Sequence, residues 1–499
     1  MINSTQQKNN KKTAYVIALF FLASYLAASL IFYPSILLNG RIWAEEAREF
    51  LIPLASAESW MNTILYLHKG HLDLIPNIAT SLALKLPIEY APYIYVWVAV
   101  VPVAIFSICF GQAIAPATKA LSSCRRWPAL LLWVSAIGFL ASCGVSGIES
   151  HLNTINSWSY IVASVALLIP VNQSKSASPV ALTFVSISPI LAFPCVLFAP
   201  WLLIQSLIIK SLKIKIQNLL FFLFCLIQIA LPKLLPSSWA FADDRCLQIR
   251  DIISILPTLI IKNLSPLAGN VNAFEPLSGS FLSSYYSLFA ITVSCIIIVI
   301  TLITFTPITT TKFNPIQTLK PSSNQSTIGG AASLIPPIFI WQLLAIASAG
   351  AGAYAQLMMG GGYRYANSLY LVILTILSKV FTSFAISENI DASNKKRTVQ
   401  RKYWKPIAIQ PLQLKLILIV WLSLMTIISI DQQTKRSKLD DRWCFISRPT
   451  WNYTDHREFK IATQNPSFIV TCPRGWTNAM QNRTARTRQE KSEYCNRSY

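Results

Sequence analysis

Glu45 and Glu46 stand side by side in the stretch Gly40-Arg41-Ile42-Trp43-Ala44-Glu45-Glu46-Ala47-Arg48-Glu49-Phe50, directly after a long apolar run. Adjacent carboxylates of this kind can bind a divalent cation or take a proton from a hydroxyl group. Ala44 to Ile52 can form a short helix that Pro53 ends or kinks, with Phe50 and Leu51 toward a membrane and the glutamates toward water. The plainer reading of the same residues is an interfacial amphipathic helix with a solvated acidic face.

Three further groups of residues carry chemical potential. His68 and His71, spaced by three with Asp73 close by, could form a metal site with Glu46, although Lys69-Gly70 reads as a turn that leaves both rings solvated. Arg364 follows the glycine run 360–362 and is flanked by Tyr363 and Tyr365; a planar guanidinium can hold two oxygens of a phosphate, or it can snorkel to lipid between two belt tyrosines. Glu149, His151, Asn153 and Asn156 lie between two apolar segments, where they can hydrogen-bond a polyhydroxyl ligand or cap the next helix. The outer pair Asp243 and Asp244 reads as a solvated loop.

The elements that must position these residues are membrane helices. Of 499 residues, 53% are hydrophobic and only 12% charged, where a soluble chain carries about twice that charge. Apolar segments near bilayer length fall at 14–34, 93–113, 128–145, 155–170, 179–193, 195–209, 216–232, 282–304, 333–350, 366–386 and 411–430. The fold class expected is therefore an all-α integral membrane protein with about eleven transmembrane helices, a helical first outer loop and a small non-cytoplasmic C-terminal module. The fifth and sixth segments are short and meet around Pro194, as a re-entrant hairpin would. Lys8, Lys11 and Lys12 precede the first run with no small-residue cleavage pattern behind it, which reads as a retained span after a cytoplasmic N-terminus, 1–13.

Charge sets the orientation. Threaded from a cytoplasmic N-terminus, the membrane domain 14–430 puts Lys119, Arg125 and Arg126, then Lys210, Lys213 and Lys215, then the cluster from Lys395 to Lys405 on the inside, as basic loops require. Among the carboxylates only Glu388 and Asp391 fall inside. Six lie in the first outer loop, 35–92, which is too long for a simple connection and must fold as a structure of its own; a second outer loop spans 233–281. The net charge of +22 is partly topogenic and partly the basic tail 431–499, which can meet anionic membrane lipids or a glycan. No basic-aromatic signature for nucleic acid is present, nor an ATP-binding loop, dinucleotide fingerprint or internal repeat.

The tail has its own character. Trp443 to Trp476 alternates aromatic and polar residues, which predicts a folded part at 443–476. Cys444 and Cys472 flank it, and a disulfide between them suits an oxidising compartment, although spacing alone does not fix the pairing.

Trp43-Ala44-Glu45-Glu46 just after a first span resembles the opening of bacterial GT-C-type glycosyltransferases, and the likeness continues in order along the chain. It includes Gly70-His71-Leu72-Asp73-Leu74-Ile75-Pro76, Asn153-Thr154-Ile155-Asn156-Ser157-Trp158 and Gly362-Tyr363-Arg364-Tyr365. Arg448-Pro449-Thr450-Trp451 and Pro473-Arg474-Gly475-Trp476 resemble the outer tail of one bacterial branch. The resemblance implies a multi-pass protein of the bacterial inner membrane, with its C-terminus outside the cytoplasm. It implies transfer of a sugar from a polyprenyl-phosphate carrier to a glycan or lipid acceptor of the cell envelope. Glu45 or Glu46 would then be the general base or a metal ligand for a divalent cation, and Arg364, Tyr363, Tyr365, His71, Asp73, Asn153 and Asn156 would bind substrate. Many such proteins carry Asp at one of the two acidic positions where this chain has Glu at both, which moves a carboxylate by about an ångström. A transporter, flippase or polymerase of lipid-linked glycans is the alternative. A transporter would be expected to show paired halves and buried mid-membrane charge, where this sequence offers only Lys379 and Lys415 near segment ends.

Overall fold

The computed structural model of the protein describes residues 4–43, 46–51, 54, 59–68, 71–87, 90–120, 127–143, 151–172, 179–208, 211–234, 363–387, 411–437, 443–447, 458–462 and 469–473. The segments expected at 282–304 and 333–350, the pair Asp243 and Asp244, and Glu149 lie outside these residues.

The other nine apolar segments fall on helices, and the described residues are mostly helical. In chain order they are α1 (Ser4–Phe32), α2 (Pro34–Asn39), α3 (Trp60–Ile64), α4 (Leu74–Lys85), α5 (Ala91–Ile114), α6 (Trp127–Cys143), α7 (Trp158–Asn172), α8 (Pro179–Leu191), α9 (Ala199–Ile208), α10 (Leu212–Leu234), α11 (Tyr363–Ser387) and α12 (Pro411–Ser437). By length and composition three of these, α1, α5 and α10, can cross a membrane, and a fourth span is added if α8 and the helix after it count as one. The architecture is thus compatible with an all-α membrane protein. Large apolar side chains on α1, α10 and α12 face outward, among them Leu19, Ile31, Leu219, Leu226, Leu416 and Ile427. Such faces are costly in water and suited to lipid.

Helix α1 packs along one face against α5 and α6. Its residues Ile17, Phe21 and Tyr25, spaced by four and fully buried, form one stripe. Phe21 packs against Phe106 and Phe110 of α5, with ring centroids at 5.6 and 4.9 Å. Glycines let the backbones meet: a Cβ on Gly111 of α5 would strike the Ala14 carbonyl, and one on Gly138 of α6 the Phe21 carbonyl. Small residues at helix crossings do this work in membranes, where the hydrophobic effect does not drive helix association. Helix α11 lies against α7, with Asn367 donating to the Ser159 hydroxyl at 2.9 Å, and against α6, where Trp133 stacks on Phe381 and donates to Ser378.

Helix α8 and the segment after it turn sharply, by 119°. Pro189 lies inside α8 and Pro194 lies within the 3-10 turn Phe193–Phe198, so two backbone N–H groups are missing where the helix breaks at Ala192. Gln228 of α10 reaches the broken region, donating to the Pro189 carbonyl at 2.8 Å. A second interhelical polar contact joins Asn172 at the end of α7 to Gln217, and Asn218 beside it donates to Leu202 and Ser206.

The first loop and the tail are not all-helical. The loop contains strand β1 (Ile42–Trp43), a π turn over Ala47–Leu51, and a hairpin of β2 (Leu67–His68) and β3 (His71–Leu72) before α4. The tail contributes β4 (Trp443–Ser447), β5 (Glu458–Ala462) and β6 (Ile469–Pro473), and the four-stranded antiparallel sheet runs β1-β4-β6-β5. The tail sheet therefore takes its edge strand from the first loop, with Ile42 opposite Cys444.

Candidate functional site

Gly40 begins the loop with φ of 70°, and a Cβ there would stand 2.6 Å from the backbone of Pro92 and Tyr93. Only glycine takes this conformation at low cost and allows so close an approach. The Arg41 N–H then donates to the Pro92 carbonyl at 3.0 Å, tying the loop to the start of α5. The Arg41 side chain runs inward, 2% exposed, and its Nη2 donates to the carbonyl of His151. It is the largest fully buried side chain among the described residues.

Glu46 also points inward. The expectation that the glutamates face water is corrected here: Glu46 is 1% exposed and Glu49 9%, and the described part of the expected helix is the π turn with Phe50 and Leu51 buried beside them. The solvated acidic face is therefore not what these two residues form. Oε1 of Glu46 accepts two hydrogen bonds from Thr154, from its backbone N–H at 2.7 Å and its hydroxyl at 2.6 Å. Buried charge is tolerated only when hydrogen-bonded or paired, and these donors supply part of that. Glu45 lies outside the described residues.

The partner segment, 151–157, is a tight polar turn. Asn153 accepts from the N–H groups of Ile155 and Asn156 through Oδ1, at 2.9 and 3.4 Å, so it acts as a local cap. The Asn156 carbonyl accepts from Ser159. Leu152, buried, has φ of 45°, in the left-handed region that a leucine enters only under strain. Backbone strain of this kind persists where the surroundings over-determine it, and it is concentrated at functional sites.

His151 lies beneath the turn. Its Nδ1 stands 3.1 Å from the Ser142 carbonyl, which only accepts, so the proton sits on Nδ1. The ring stacks on Tyr25 at 5.5 Å and tilts against Tyr33 at 5.4 Å. Burial pushes its pKa down to about 3, and the neighbouring Arg41 cation pushes the same way, against the Ser142 contact. His151 is a neutral imidazole. Tyr25 continues the chain of polar contacts to Tyr160 at 3.1 Å, and the next residue back, Ser159, receives Asn367 of α11.

The loop and the helix of Arg364 meet neighbouring stretches of chain, the turn 151–157 and the helix α7 that follows it. Glu46 meets the turn at Thr154, and the helix that begins with Tyr363, Arg364 and Tyr365 meets α7 at Ser159 through Asn367. Arg364 lies one turn before Asn367; the side chains of Tyr363, Arg364 and Tyr365 lie outside the described residues.

The histidines form a different arrangement from the one expected. Lys69-Gly70 does link the strands of a two-stranded hairpin, but His68 and His71 face each other directly across it, with ring centroids 6.2 Å apart. His68 is buried and pairs with Glu49 at 3.0 Å; His71 pairs with Asp73 at 3.2 Å and stacks on Phe193 at the helix break. Solvation is corrected for His68, which is 3% exposed. Each ring has its own carboxylate and Glu46 is held by Thr154. Among the described residues no three His, Cys, Asp or Glu side chains have the geometry to hold a metal ion. Gln228 fixes the hairpin as well, accepting from the Leu72 N–H at 3.0 Å and donating to its carbonyl at 2.9 Å.

Sequence reasoning gave no role to Arg41, Thr154 or Gln228. Arg41 and Thr154 stand inside the quoted motifs, so their position was visible and their function was not. Gln228 is an amide deep in an apolar helix, well beyond Gln217 and Asn218 near its start, a signal that was there to be read. No protein-family model, no curated protein sequence and no solved structure matches this chain.

Proposed function

We propose that this chain is a multi-pass membrane glycosyltransferase that moves a sugar from a polyprenyl-phosphate carrier to a cell-envelope acceptor on the non-cytoplasmic face. The observation that carries the reading is Glu46: a buried carboxylate held by two donors from Thr154, on the turn that leads into α7, against which the helix bearing Arg364 packs. A carboxylate fixed in this way is oriented before substrate arrives, which is what a general base requires. In the reaction the acceptor hydroxyl attacks the anomeric carbon and gives its proton to Glu46 or Glu45. The bond from that carbon to the phosphate oxygen breaks, and the polyprenyl phosphate leaves with the electron pair, its charge met by Arg364. His71, Asp73, Asn153 and Asn156 would serve the sugar and the loop around it.

The second reading, a transporter, flippase or polymerase of lipid-linked glycans, draws support from two observations. The helix pair around Ala192 is bent by 119°, and Lys379 of α11 is 7% exposed within an apolar helix. Broken helices and buried charge are where transporters build their sites. The break is closed by Gln228 and no symmetry-related second break occurs among the described residues, so the enzyme reading is preferred.

The experiment is transfer of radiolabel from a polyprenyl-phosphate hexose to the envelope fraction by membranes carrying the protein. Glu46→Gln or Glu45→Gln keeps size and removes charge; one of them should abolish transfer and leave donor binding nearly intact. Full transfer by both variants would remove the main support for this reading.

A further inference from the structure

The tail sheet carries a covalent feature that its backbone register makes specific. Strands β4 and β6 are antiparallel, with Phe445 opposite Thr471, Ile446 opposite Val470 and Ser447 opposite Ile469. Cys444 and Cys472 are the next residues along each strand, at the next facing position of the same register. Facing residues of an antiparallel pair have Cα atoms about 4.5–5.5 Å apart and share one sheet face. A disulfide needs Cα atoms about 4.4–6.8 Å apart. The backbone therefore meets the requirement without rearrangement.

We propose that Cys444 and Cys472 form a cross-strand disulfide that joins β4 to β6 within the tail and so fixes the sheet on which the first-loop strand β1 pairs. On its other side Cys444 faces Ile42 of β1, the strand directly after Arg41, so the link closes next to the segment that leads into Glu46. The tail is a clasp on that loop. Both thiols lose their protons and together give two electrons to the disulfide of a protein thiol-oxidant, which leaves as a dithiol while the Cys444–Cys472 bond forms. The bond requires the tail to reach an oxidising compartment. The buried thiols Cys109, Cys195 and Cys225 lie on other elements and are free.

Trypsin places the two cysteines on separate peptides, since Arg457 and Lys460 lie between them, and Cys495 on a third. Full-length protein is isolated from membranes under alkylating conditions and digested without reductant. The expected product is one linked pair of peptides containing Cys444 and Cys472, which separates on reduction. In Cys444→Ser the remaining Cys472 should become alkylated, and in Cys472→Ser the same should hold for Cys444. Alkylation of both cysteines in the unreduced wild-type protein overturns the proposal. So does a link from either to Cys495 or Cys246, or a Cys472 that stays blocked in Cys444→Ser.

Discussion

The carboxylate of Glu46 and the backbone N–H of Thr154, 108 positions apart, meet at 2.7 Å, and the threonine hydroxyl reaches the same oxygen at 2.6 Å. Thr154→Val keeps the shape of the side chain and removes the hydroxyl. A hydrogen bond to a buried charge is worth about 1.5–3 kcal/mol, so the variant should lose about that much stability while Thr154→Ser loses far less. Thermal unfolding in detergent reads the difference; equal melting of the Val variant and the parent would show that the hydroxyl contributes nothing.

His151 gives a pH dependence of definite sign. Its folded pKa lies at about 3 against 6.5 for an ordinary histidine, so between these values the unfolded chain binds a proton that the folded one does not. Stability contributed by neutral His151 is complete above about pH 6.5 and declines as pH falls toward 3, by at most about 1.4 kcal/mol per unit. His151→Gln should flatten that part of the stability curve. An unchanged slope in the variant counts against a buried neutral ring.

The glycine contacts of α1 predict overpacking. Gly111→Ala and Gly138→Ala each press a methyl group into α1 backbone and should cost about 1–3 kcal/mol. Leu132→Val, at a side chain 73% exposed on α6, should change stability by less than about 0.5 kcal/mol. The same melting assay compares all three.

Arg364 separates binding from chemistry. Arg364→Ala should weaken binding of a polyprenyl-phosphate sugar, because the phosphate loses its counter-charge, and Arg364→Lys should restore it only in part, since an ammonium cannot make a bidentate contact. Undiminished donor binding by Arg364→Ala would remove this residue from the proposed site.

The β1–β4 pairing puts the first loop and the tail together, and the basic-loop asymmetry predicts which side they share. Because the first loop and the tail share one sheet, reporter fusions after Ser59 and after Asn465 should give the same, non-cytoplasmic signal. Disagreement between the two positions would break the topology.

What the sequence made legible was the part with long-range periodicity. Nine apolar segments became helices because runs of this length have few alternatives, and Pro194 announced the broken pair. The capping by Asn153 was also readable, since it depends on neighbouring residues alone. The orientation of Glu46 and Glu49 was not. A glutamate placed by local amphipathicity faces water; Glu46 is held inward by Thr154 from a distant segment and Glu49 pairs with His68 across the same loop, and neither partner shows in a local pattern. Strand β1 has two residues and no alternation to read; its existence depends on β4. The facing of His68 and His71 required knowing that the turn closes a hairpin, not only that a turn was present.

The sheet that joins Ile42 to Cys444 also fixes an order of construction. During synthesis the first loop emerges early and its partner strand roughly 400 residues later, so β1 waits unpaired through most of membrane insertion. A chain interrupted after α12 would retain its helices and their crossings while leaving that strand edge open. The late-made strand β4 thus governs whether the early-made first loop is completed.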